Sequence, residues 1–126
     1  MHFLNKYESQ SYALMRIVTG FLFLWHGTQK FLDFPKAGPE LNAMMTVGGG
    51  VELIGGLLLM VGLLTRQAAF ICSGTMAVAY WVFHVPGSNP LLPMLNGGEL
   101  AIMFCFVFLF ISCKGAGIWS VDAARK

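Results

Sequence analysis

The sequence predicts an all-α protein, a four-helix bundle set in a membrane with both termini on the cytoplasmic side. Three observations point there. Hydrophobic residues make up 56% of the 126 residues and charged residues only 11%, against roughly 25% charged in soluble domains. Such a chain has too little charge to cover a surface facing water. Four mostly apolar segments, Tyr12–Leu32, Val47–Leu64, Gln67–Val85 and Gly97–Cys113, approach the roughly 20 residues that a bilayer-crossing helix needs. Polar punctuation separates them.

The length is that of one domain, and the mean hydropathy is +0.68. A net charge of +2 without a basic cluster gives no reason to expect nucleic-acid binding. Nothing in the composition suggests a soluble enzyme.

The polar stretch Met1–Ser11 leads into the first segment, which ends in Gly27-Thr28-Gln29-Lys30 without a small-x-small cleavage pattern. It therefore reads as a retained helix and not a removed signal peptide. A polar loop runs from Asp33 to Thr46, and Pro39-Glu40-Leu41 is placed to start a short surface helix. Thr65-Arg66 reads as a tight turn between the second and third segments. The run from Pro86 to Pro93 cannot continue a helix, and Leu91, Leu92, Met94 and Leu95 make that loop apolar enough to rest in the membrane interface.

Four spans put both termini and the Thr65-Arg66 turn on one side. Lys6, Arg16, Arg66, Lys114, Arg125 and Lys126, six of the eight basic residues, share it. The positive-inside rule makes that side cytoplasmic. The lipid bilayer is then the chief partner. Trp119 is expected at the cytoplasmic interface, with Trp25 and Trp81 in the outer halves of their spans.

Glu52 is the most informative residue. A carboxylate within an apolar span is costly unless solvated or paired, and is a functional-site hypothesis by default. The topology gives it company. His26 and Lys30 lie near the outer end of the first helix, His84 near that of the third. Glu52 and Glu99 begin the second and fourth, roughly 3–8 Å deep at about 1.5 Å per residue. His26 and Lys30 are i,i+4 neighbours on one helix face. Gly48, Gly55 and Gly62 recur every seventh residue beside Glu52, a small-residue stripe expected to pack on another helix or to serve a homo-oligomer.

Simpler roles stand beside these. Glu99 has capping-box spacing with Asn96. Lys30 and Arg16 can snorkel to headgroups, and His84 can be an interfacial histidine. Cys72, Cys105 and Cys113 contain no CxxC pair and lie away from the outer cluster. They read as small packing residues, which leaves an outer-face dithiol mechanism without its residues. No HExxH-type metal-ligand spacing occurs, so no metal site is expected. Haem ligation by His26 and His84 is disfavoured, because two histidines on separate helices are a weak signal.

The residues also resemble a known family. Arg16 through Lys30, with its Trp-His-Gly-Thr-Gln-Lys-Phe stretch, is similar to the first helix of the DoxX family of small four-helix membrane proteins. The run from Glu52 to Arg66 resembles that family's second-helix signature. Asn96-Gly-Gly-Glu99 resembles the start of its fourth helix, and Gly115-Ala-Gly117 with Ser120 and Asp122 its C-terminal motif. The resemblance implies a single multi-pass domain over residues 1–126 in the bacterial inner membrane.

Because the related DoxD proteins are a subunit of thiosulfate:quinone oxidoreductase, it also implies a role as an oxidoreductase component, a fold-level analogy. On that reading His26 and Glu52 are the catalytic candidates, moving protons. Lys30, His84, Glu99 and Arg16 are the substrate-binding candidates, with Arg66 also matching a family position. The implied substrate is a quinone or small redox compound, and the implied partner another membrane subunit. The alternative is a non-enzymatic permeation path or a scaffold for partner proteins.

Overall fold

The computed structural model describes residues 1–125 and is all-helical, with no strand among the described residues. Lys126, one of the basic residues assigned to the cytoplasmic side, lies outside them. A 3₁₀ turn at His2–Tyr7 leads into α1 (Glu8–Leu32), followed by α2 (Ala43–Val61) and α3 (Thr65–Ala79). A π-helical turn, Tyr80–His84, prolongs α3, and α4 (Pro93–Asn96), α5 (Glu99–Lys114) and α6 (Val121–Ala124) complete the chain. The four long helices alternate in direction. The start of α1 meets the end of α5 through Tyr12, whose hydroxyl donates to Gly115 O at 2.5 Å.

Local chemistry moves several boundaries from those expected. Pro39-Glu40-Leu41 is not helical. Asn42 instead caps α2, its side chain accepting from Met45 N at 2.9 Å, an ordinary Asn N-cap. Thr65 and Arg66 are the first residues of α3 and not a turn. The reversal is made by Gly62-Leu63-Leu64, with Gly62 at φ 72° and Leu64 at φ 50°. The loop after the π turn leaves its apolar side chains uncovered: Leu91 is 85%, Met94 81% and Leu95 78% accessible.

Glycine sets the spacing of α1 and α2, but not the glycines of the Gly48/Gly55/Gly62 stripe. A Cβ on Gly27 would lie 2.6 Å from Leu53 N, and one on Gly56 would lie 2.9 Å from Gly20 O. Backbone meets backbone there, as small residues permit. Gly55 faces α3, where a Cβ would lie 2.5 Å from Cys72 Sγ, while Gly48 faces open space. The expected stripe thus divides three ways: Gly48 is free, Gly55 packs on α3, and Gly62 is a left-handed helix end. Gly49 and Gly56 are used inside the chain and are not free to join a second copy.

Gly27→Leu should therefore destabilise the fold by about 3 kcal/mol, the upper part of the overpacking range, because backbone atoms cannot move aside. Gly48→Ala should be neutral or stabilising. Unfolding by SDS titration in micelles compares the two.

Between the α1–α2 and α3–α5 pairs lies an aromatic core. Phe23 packs on Phe104 and Phe108 at centroid distances of 5.2 and 4.7 Å. The outer faces are apolar as well: Val18 and Leu22 on α1, Ile54 and Leu57 on α2, Phe70 and Val78 on α3, and Met103 and Phe106 on α5 are all exposed. α2 alone among the described helices is long and apolar enough by length and composition to cross a membrane, with 19 residues and hydropathy 1.8. α5 has 16 residues, and α3 reaches its full length only through the π turn.

The end of the bundle near the termini is tied by charged groups bonded to backbone. Arg16 is fully buried rather than snorkelling. Its Nε donates to Leu59 O at 3.0 Å, Nη2 to Trp119 O at 2.7 Å, and Nη1 to Ala116 O and Ile118 O. Leu59 O is an orphan carbonyl of the last turn of α2, because Gly62 N and Leu63 N both return to Leu58 O. Arg66 likewise caps α5, donating to Ser112, Cys113 and Lys114 carbonyls.

Asp122 caps α3 from the other direction, accepting from Leu64 N and Thr65 N at 2.9 Å each. The Thr65 amide first of all holds its carboxyl below the usual range, as donors to the charged form do. A depressed folded pKa contributes stability that is full above the ordinary carboxylate pKa of about 3.9 and is lost as pH falls through the folded value. Melting temperature should therefore fall below about pH 4 in the wild type. It should depend less on pH in Asp122→Asn over the same range, a comparison that differential scanning fluorimetry makes directly.

Candidate functional site

The α1–α2 close packing fixes the site. With Gly27 against the backbone of Leu53, the next turn of α1 brings Lys30 over the first half of α2. Lys30 Nζ reaches Glu52 Oε1 at 2.6 Å. The Lys30 side chain is 17% accessible and that of Glu52 7%. Lys30 is thus the partner that balances Glu52, and it pairs rather than extending to headgroups. At this distance the contact is a charge-assisted hydrogen bond as well as an ion pair.

The pair sits on the wall of a cavity of about 1090 Å³ between α2 and the α3–α5 pair. His26, Lys30, Glu52, Thr75 and His84 supply its polar groups, and nearly all the remaining lining is apolar. Binding pockets run to about 300–1,000 Å³ and combine apolar walls with a few convergent polar groups. This cavity has that character at the upper end of the size range. His26, half-buried, holds its ring edge-on to Phe104 at 6.0 Å.

His84 enters through the π turn. Val85 N returns to Tyr80 O at 3.0 Å, one residue further than in an α-helix, and such insertions are frequent at functional sites. His84 stacks on Tyr80 with centroids 6.2 Å apart, and its Nδ1 lies 3.2 Å from Asn96 O. A carbonyl only accepts, so in this contact Nδ1 carries the proton and Nε2 of a neutral ring is an acceptor. Tyr80 is fixed in turn, its hydroxyl donating to Pro90 O at 2.6 Å and accepting from Asn96 Nδ2 at 3.2 Å.

The structure thus brings His26, Lys30, Glu52 and His84 to one cavity and leaves two candidates outside it. Glu99 is exposed and does not line the cavity. Its expected capping box is also absent. Gly98 is the N-cap of α5, and Asn96 Oδ1 accepts from Gly98 N at 2.8 Å instead of from the Glu99 amide. Glu99 opens the helix, where its charge suits the N-terminal dipole. Arg16 lies fourteen residues before Lys30 on α1, about 21 Å away at the helical rise, with its donors spent on backbone carbonyls.

Thr75, Gly74 and the Tyr80–Asn96 support are additions to the set of residues expected from the sequence. Their signal was weak, because a threonine or glycine inside an apolar run reads as packing. Among the described residues, no group of three or more His, Cys, Asp or Glu side chains is placed to hold a metal ion.

The model of the DoxX family matches residues 11–85, from the start of α1 through the π turn. A protein of Haemophilus influenzae carrying the description "Uncharacterized protein" is 44% identical over 97% of this chain and 96% of its own. "Inner membrane protein YqjF" of Escherichia coli is 27% identical over 94% of this chain and 95% of its own. No solved structure matches. With the family model covering more than half of the chain and a relative similar along almost all of it, the chain belongs to the DoxX family.

Proposed function

We propose that the chain is a multi-pass protein of the bacterial inner membrane. On this reading all four long helices cross the bilayer with the termini in the cytoplasm. The apolar exposed faces on all four helices support it, as does the name of the Escherichia coli relative. α3 with its π turn, Thr65–His84, is about 30 Å long at the helical rise, the thickness of the hydrocarbon core. Lys6, Arg66, Lys114 and Arg125 stand at the end that carries the termini, while Lys30 and Lys36 stand at the other, the distribution of a positive-inside protein.

Within that membrane, the cavity holds the polar head of a quinone or small redox substrate, and the chain serves as a component of a membrane oxidoreductase system. The observation that carries this reading is the Lys30–Glu52 pair at 2.6 Å on the wall of an apolar cavity beside His26. A quinone carbonyl needs donors, and the Lys30 ammonium has two N–H groups beyond the one given to Glu52. Reduction of a quinone to its quinol takes up two electrons and two protons. The electrons are supplied by a redox partner subunit, and His26 and Glu52 are the groups that pass protons.

Titrating a benzoquinone into the reconstituted protein tests this. Glu52→Gln, which takes away the carboxylate that positions the Lys30 ammonium, and His26→Ala, which takes away an imidazole donor, should each weaken binding by about tenfold. Binding unchanged in both variants would remove the reading.

A further inference from the structure

The proposed head site deepens into a substrate class when the shape of the α2–α3 cleft is followed. α2 and α3 meet closely at Gly55 and Cys72, where an added Cβ would fall 2.5 Å from the sulfur, and part above it. Val47 is 68%, Phe70 66% and Ile71 57% accessible, yet all three line the cavity. The cavity is therefore open sideways, through the apolar surface that faces lipid on the reading above. A second groove of about 280 Å³ continues from this mouth, sharing Val47 and Ile71 with the cavity and running to Leu58 and Ala68. From Val47 to Leu58 it extends about 16 Å at the helical rise.

Three glycines mark the same path. Gly48 and Gly74 line the cavity and Gly50 the groove, and a Cβ on any of them would meet nothing within 4 Å. Packing inside the chain requires glycine at Gly27 and Gly56 but at none of these. Glycine in a helix interior is less favourable than alanine, so its presence at three open positions along one path fits a bound molecule that passes close to the backbone.

Resting on the head-group site proposed above, we infer that the substrate is a membrane-dissolved amphiphile, a quinone-type head on a hydrocarbon or isoprenoid chain. It enters sideways between α2 and α3 and lays its chain in the groove while its head meets Lys30, Glu52 and His26. The charged pair serves the polar end, and the groove, lined almost wholly by apolar side chains, serves the chain.

The test uses the full-length protein in phosphatidylethanolamine–phosphatidylglycerol vesicles, with affinities expressed as mole fraction in lipid. Two probes are compared by quenching of tryptophan fluorescence: a dimethoxy-methyl-benzoquinone without a chain and the same head carrying a decyl chain. The decyl probe should bind at least about tenfold more tightly at equal mole fraction, through the summed van der Waals contacts of the chain with the groove wall, because a chain already dissolved in lipid gains nothing further from the hydrophobic effect. Gly50→Leu fills the groove and should remove most of this advantage, while leaving the chainless probe within about threefold of wild type. A diazirine in the decyl chain should label groove residues such as Ile54, Leu58 or Ala68 in the wild-type protein, a readout independent of any variant's folding.

Equal binding of the two probes, or labelling confined to other surfaces, overturns the inference and leaves the head-group reading standing. Failure of both probes to bind overturns the head-group reading and this inference with it.

Discussion

Arg16→Met should be the most damaging single substitution in the chain, destabilising the fold by about 4 kcal/mol or more, because hydrogen bonds from charged donors are worth about 1.5–3 kcal/mol each. Arg16 is wholly buried and joins the last turn of α2, through Leu59 O, to three carbonyls of the segment after α5. Methionine fills much of the space but leaves four acceptors without this donor. The segment carrying Ser120 and Asp122 would then detach, and with it the Asp122 cap on α3. Arg16→Lys should recover little, since an ammonium is a point donor without the planar fork that spans these carbonyls. Limited proteolysis after Trp119, together with SDS unfolding in micelles, would report both effects. A variant that resists proteolysis and unfolds like the wild type would show that the clamp holds nothing.

Lys30→Met should cost about 3 kcal/mol, the lower end for leaving one member of a buried pair uncompensated. The lower end applies because the Lys30 side chain keeps 17% accessibility. Glu52→Leu alone should cost less, because Lys30, with its longer stem, can turn toward the headgroups. The double variant, Lys30→Met with Glu52→Leu, should lie close to wild type in stability, since replacing both members of a buried pair by apolar residues is often neutral or stabilising. On that outcome the pair contributes little net stability relative to an apolar replacement, and its role lies in the cavity. A double variant as unstable as Lys30→Met would instead make the pair a structural element.

Much of the layout was legible in the residues. Periodicity and composition separate four apolar segments, and the depth argument places His26, Lys30, His84 and Glu52 in one layer. Their meeting at one cavity follows from the alternating helices and from the glycine contact that brings Lys30 over Glu52. Three kinds of feature were not legible. Helical phase could not tell which heptad of glycines faces α1, because Gly48-Gly49-Gly50 and Gly55-Gly56 offer adjacent registers about 100° apart. The Asn96–Glu99 spacing matched a capping box, but the left-handed Gly97 (φ 75°) delays the helix and turns the Asn96 side chain to Gly98. The role of Arg16 depended on a tail more than a hundred residues away in sequence folding back over the bundle end, which no local pattern announces. The π turn at Tyr80–His84 was also invisible, since one inserted residue leaves no compositional mark.

On the function proposed above, the Lys30–Glu52 pair holds the polar head of a membrane-dissolved substrate. The most direct measurement is binding of the decyl-benzoquinone to the Lys30→Met, Glu52→Leu double variant, reconstituted beside the wild type after both have shown similar unfolding. The prediction is a folded protein whose affinity has fallen by at least about tenfold, one lost charge-assisted contact to the head. A folded double variant that binds the quinone as the wild type does would contradict it.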